Sequence, residues 1–197
     1  WVDAGAPLGD PKLLPPAVKY NEGWAFGEPD LVLTPDASFA LAGNGVDEYR
    51  CFVMPTGLDE TRYIQAMEVR PGNRKVVHHV RAFADVTGKA RVLDVADPKP
   101  GFDCSLSMIA PYKRIAVGGW APGMIPDKHP DHTGTFLPGK SDIVMEVHYH
   151  RNGLQQSDRS SLGIWLHKQT PAHIQKSLLV ANIGIRIPAG AERHEER

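Results

Sequence analysis

A chain of 197 residues that is 42% hydrophobic carries enough apolar mass for one sizeable domain, or for a domain and part of another. Its 22 basic and 23 acidic side chains leave a net charge of −1, which excludes the cationic surface that nucleic acid or an anionic membrane would select. No apolar run approaches the roughly 18 residues of a membrane-spanning helix.

The chain opens at Trp1 with neither an initiator methionine nor a signal peptide, and we expect it to be a portion of a longer protein. Residues 1–28 are rich in Pro and Gly, as in Gly5-Ala-Pro-Leu-Gly-Asp-Pro11, and lack periodicity, which predicts an extended linker. From residue 29 the texture changes. Short β-favouring runs predict strands over 31–33, 48–54, 63–69, 76–84, 143–150, 162–167 and 178–187. Turn-forming clusters such as Pro71-Gly72-Asn73 and Arg151-Asn152-Gly153 separate them. The segment 95–140 is again dense in Pro and Gly and predicts a long ordered excursion that returns to a strand at 142. No helical stripe of three turns is present, so the pattern predicts an all-β protein, an antiparallel sandwich of jelly-roll type.

Four histidines fall on two of these strands. The first is Lys75-Val-Val-His78-His79-Val80; the second is Val144-Met-Glu-Val-His148-Tyr-His150. Imidazole in an apolar strand is costly without a partner, and a metal ion is the partner that most economically explains four. In the second strand, alternation puts Ile143, Met145, Val147 and Tyr149 on one face and Val144, Glu146, His148 and His150 on the other. His148 and His150 therefore point the same way, about 7 Å apart along the backbone. Adjacent His78 and His79 should face opposite sides of a regular strand. Joint ligation demands a bulge, or Nδ1 from one ring and Nε2 from the other. Three imidazoles with an open position suit copper or zinc rather than calcium or magnesium, and the pattern does not separate the first two. Glu146 shares the His148 face and is a candidate acceptor for a ring N–H, or else a solvated carboxylate.

The remaining histidines read more plainly. His129 and His132 occupy the Pro/Gly-rich excursion as loop residues, while His167, His173 and His194 are isolated. Met54, Met67 and Met145 fit core positions. Cys51 and Cys104 read, from spacing alone, either as a disulfide or as two buried thiols. No CxxC is present, so neither a thiolate zinc site nor a thioredoxin-type pair is supported.

Tyr49-Arg-Cys51, Val76-Val-His78-His79-Val80, Trp120-Ala-Pro-Gly123 and Ile143-Val-Met-Glu-Val-His148-Tyr149 occur in an order that resembles the copper type II, ascorbate-dependent monooxygenases. That family includes the peptidylglycine α-hydroxylating and dopamine β-monooxygenases. The forms in this chain look most like its bacterial branch, whose members often follow cytochrome c or redoxin-like modules. The resemblance covers about residues 29–197 and implies two jelly-roll β-sandwich domains, each with one copper. It implies His78, His79 and His148 as the ligands of the first copper, with His150 and Glu146 behind them, and a Cys51–Cys104 disulfide. It further divides the chain into a linker (1–28), the first copper domain (29–172), and a connector with the start of a truncated second sandwich (173–197). The family's second copper uses a His-x-His pair and a Met, and neither occurs after His150.

The expectation is therefore the electron-transfer copper domain of a secreted or periplasmic monooxygenase. The parent would use O₂ and ascorbate to hydroxylate a C–H bond of a small molecule or peptide. This chain would hold one copper and, without the missing C-terminal domain, would lack catalysis. A His₃ zinc hydrolase or hydratase and a non-catalytic β-sandwich binding module are the alternatives.

Overall fold

The computed structural model describes residues 1–16, 23–105, 114–176, 178, 180, 182 and 184–195. The strands, in chain order, are β1 (Leu31–Leu33), β2 (Phe39–Leu41), β3 (Glu48–Pro55), β4 (Arg62–Arg70) and β5 (Val77–Asp85). After helix α1 (Lys89–Ala96) come β6 (Phe102–Asp103), β7 (Ile115–Trp120), β8 (Thr133–Leu137) and β9 (Asp142–Tyr149). The last three are β10 (Gln156–Asp158), β11 (Ser161–Leu166) and β12 (His173–Gln175). One sheet runs β1-β11-β4-β8-β12 and the other β6-β3-β9-β5-β7, while β2 and β10 form a ribbon. Neighbours pair antiparallel, except that β12 lies parallel to β8.

The two sheets pack face to face as an antiparallel β-sandwich. Ile143, Met145, Val147 and Tyr149 of the central strand β9 enter the main core and meet Ile64, Val69, Leu162 and Ile164 from the opposite sheet. The period-2 reading of β9 thus describes which face is which. Its other face is also covered: Val144 joins Cys51, Phe102, Cys104 and Ala90 of α1 in a smaller cluster on the outer side of the sheet. A strand buried on both faces can hold imidazole and carboxylate groups in fixed positions, and β9 is buried at every residue.

The structure departs from expectation in three places. Within 95–140, β6, β7 and β8 are strands. Gly118 and Gly119 in β7 interrupt the apolar run that would have marked it, yet the backbone still pairs with β5. The packed domain begins before residue 29, since the rings of Trp24 and Phe26 meet Trp165 edge-on and Arg70 lies over Trp24. At the other end, residues 173–175, expected as part of a connector, form a strand. They pair as β12 with β8 of the first sheet. The strand expected over 178–187 falls partly outside the described residues, and those that are described there carry none.

Two constraints tie the outer layer to the sheet. β3 pairs with β6 through Cys51 and Phe102, which brings Cys104 beside Cys51 in a disulfide with Cα atoms 5.9 Å apart. Nearby, buried Arg50 donates to the Asp97 carboxylate at 2.9 Å and to the carbonyl of Pro100 at 3.0 Å. This fixes the chain leaving α1. Arg50, opposed by desolvation and aided by backbone N–H groups of Lys99 and Asp103, lowers the Asp97 carboxyl to about 2.

A carboxylate depressed in the folded state stabilises the fold above its unfolded value near 4, and that contribution disappears as pH falls towards 2. Asp97→Asn is expected to lower stability at neutral pH and to flatten the acid limb of a urea-denaturation series across this window. Replacing both cysteines by alanine should lower the unfolding free energy by about 2–5 kcal/mol, measured by equilibrium denaturation.

Candidate metal centre

The pairing of β5 with β9 contains one irregular step. Val77 lies opposite Tyr149 and His79 opposite His148, so two steps along β5 match one along β9. His78 is the extra residue of a β-bulge. The bulge removes the alternation that would have sent the two rings to opposite faces, and His78 and His79 stand together with ring centres 5.4 Å apart and planes 23° from parallel. His148 comes from β9 into the same space, 4.6 Å from the His79 ring and 4.9 Å from that of His78.

One ligand nitrogen of each ring lies within 4.8 Å of the other two. Nδ1 of His78 and Nδ1 of His148 are 3.1 Å apart. Nδ1 of His79 is buried and makes no hydrogen bond among the described residues. A buried polar atom without a partner is costly, and an ion shared with the neighbouring nitrogens of His78 and His148 would supply one for His79. Metal–nitrogen bonds near 2 Å need nitrogens about 3–4 Å apart, so the set closes on an ion with small ring rotations. The arrangement could hold a metal on the outer face of the sheet, with His78 at the solvent side and His148 buried.

The surroundings favour a neutral, ligand-ready His79. Burial, and then the charges of His148, His78 and Arg81, hold His79 below the ordinary imidazole value. Tyr49, opposite His148 across β3 and β9, stacks on that ring at 4.1 Å and 4°. Asp47, in the loop before β3, places Oδ2 2.9 Å from Nε2 of His148 and Oδ1 3.0 Å from Nδ1 of His150. Desolvation acts to raise the Asp47 carboxyl, but the hydrogen bonds from His148 and His150 prevail and hold it low.

Not every expected residue joins the site. Glu146 lies on the His148 face but does not accept from a ring; its Oε1 takes Nε of Arg81 at 2.7 Å. Arg81 stands opposite Glu146 across β5 and β9, so the nearest cation claims the carboxylate. Its expected role falls to Asp47, which only the pairing of β3 with β9 brings near. His150 is 70% exposed and touches the site through Asp47. His129 bonds Thr135, His167 bonds the carbonyl of Thr133, and the rings of His132 and His173 meet edge-on. A cleft of about 360 Å³ lined by Met67, Trp120, Met124 and His129 contains none of the clustered histidines.

Fold and site together define a class: an antiparallel β-sandwich with three converging imidazoles on one outer sheet face. Comparison with known proteins gave no matching family model and no matching curated protein.

A divalent ion that binds only the folded chain raises its melting temperature. Cu²⁺ or Zn²⁺ is expected to do so at pH about 7.5, with the shift shrinking towards pH about 5.5 as protons compete for the imidazoles. His78→Ala, His79→Ala and His148→Ala should each abolish most of the shift in differential scanning calorimetry, while His150→Ala should retain it.

Proposed function

We propose that this chain is the electron-transfer copper domain of an O₂- and ascorbate-dependent monooxygenase, with a sandwich of the jelly-roll type. The observation that carries the reading is the convergence of one ring nitrogen from each of His78, His79 and His148, permitted by a bulge at the His-His pair. The ordered motifs around Tyr49, His78-His79, Trp120 and Ile143–Tyr149 supply the family. An all-imidazole set suits copper in both of its common oxidation states, and the ion would accept single electrons from ascorbate and pass them on.

The chain's own residues have defined tasks in this reading. His78, His79 and His148 bind. The bulge sets the spacing of the first two. Tyr49 covers one face of His148, and the exposure of His78 leaves an approach for a reductant. The parent reaction consumes a C–H bond, one O₂, two electrons and two protons, and yields the alcohol and water. Substrate and oxygen chemistry would belong to a second domain that carries its own copper. An upstream cytochrome c or redoxin-like module would serve as the electron source in the parent protein. A disulfide accords with an oxidising compartment, so the proposed location is the periplasm or the cell exterior.

Protein purified without added metal and then titrated with Cu²⁺ should bind one copper per chain and show a Cu(II) EPR signal that ascorbate removes. It should form no hydroxylated product from peptidyl or phenethylamine test substrates. Zinc occupancy without an ascorbate-reducible signal would point instead to a hydrolytic His₃ site, and hydroxylation by the chain alone would overturn the division between domains.

A further inference from the structure

Asp47 lies behind His148, on the ring nitrogen opposite the one that faces His78. A carboxylate accepts hydrogen bonds and does not donate them. Asp47 therefore requires an N–H at Nε2 of His148 and another at Nδ1 of His150. With its proton on Nε2, His148 keeps a lone pair on Nδ1, the atom that faces His78. One carboxylate thus decides which His148 nitrogen is available to an ion.

The loop that presents Asp47 is built to hold it. Arg151 donates from Nε to the carbonyl of Val46 at 2.7 Å, from Nη1 to that of Ala42 at 2.5 Å, and from Nη2 to the Glu48 carboxylate at 2.6 Å. These contacts bracket Asp47 on both sides. The backbone of Gly153 also bonds the carbonyl of Gly43 at 3.0 Å. A Cβ at Gly43 would stand 2.8 Å from the Gly153 carbonyl carbon, so this approach requires glycine. Arg151 itself follows His150 directly, so the segment leaving β9 clamps the loop that orients a β9 histidine.

We propose that Asp47 is a positioning residue that locks His148 in the Nε2–H tautomer, makes Nδ1 its ligand atom, and favours the higher oxidation state of the bound metal. Arg151 holds the loop that keeps Asp47 in place. The inference rests on the three-imidazole metal reading above. A carboxylate hydrogen-bonded behind a ligand imidazole raises the ring's basicity and adds negative charge near the ion, and both effects favour the more highly charged metal.

The tautomer is tested without metal. Ring ¹⁵N NMR of the full chain at pH about 8, where imidazoles are neutral, should show His148 unprotonated at Nδ1. Asp47→Ala should give a mixed tautomer. In titrations with Zn²⁺ and with Cu²⁺, Asp47→Ala should lose about 10–100-fold in affinity. Asp47→Asn keeps an acceptor but loses the charge, so it should lose less affinity and still raise the copper reduction potential. Arg151→Met should fall between wild type and Asp47→Ala in affinity. Wild-type affinity, tautomer and potential in Asp47→Ala would overturn the role of Asp47 while leaving the metal site standing. If Asp47→Ala does not fold, an unchanged potential in Asp47→Asn overturns it. A wild-type chain that binds neither ion through His78, His79 and His148 would sink the underlying metal reading as well.

Discussion

The candidate site depends on a single residue of mismatch between two strands. Regular alternation would place His78 and His79 on opposite sides of the sheet, one in the core and one outside it. The main core is apolar, and an imidazole turned inward there would lack a partner. By taking two steps in β5 against one in β9, the bulge keeps Val77 and Val80 in the core and sends both histidines outward. The cost is one irregular ladder position. The gain is a set of nitrogens that no flat strand could gather.

The remainder of the domain supports that step. β9 is the centre of its sheet, with the core on one face and the disulfide cluster and α1 on the other. His148 is fixed laterally by Tyr49 on β3 and His79 on β5, and from behind by Asp47. Glu146, two residues before His148 on β9, balances Arg81 rather than the histidines, so the charged pair and the imidazole cluster are separate neighbours on one face. The Cys51–Cys104 bridge and the Arg50–Asp97 pair hold the layer over that face in register with the strands.

Much of this was legible beforehand. Six strands fell where β-favouring runs and turn clusters put them, and the two faces of β9 followed from alternation alone. The strands missed were short or atypical. β6 has two residues, β2, β10 and β12 have three each, β7 carries paired glycines, and β8 lies in the Pro/Gly-rich excursion; each exists because a neighbouring strand offers unpaired backbone groups. Asp47 was missed because nothing local marks it. Its importance arises from the register that brings Tyr49 opposite His148, a relation between residues about a hundred positions apart in the chain.

The sequence by itself determined the all-β class, which side chains of β9 share a face, and which histidines were candidates, because side-chain alternation and hydrophobicity are local properties. It also posed the question of how adjacent histidines could share an ion. Only the tertiary structure decided that a bulge answers it, that Asp47 rather than Glu146 stands behind His148, and that Cys51 and Cys104 meet. Those outcomes turn on which strands become neighbours and in what register, and that choice is made by the packing of the whole sandwich.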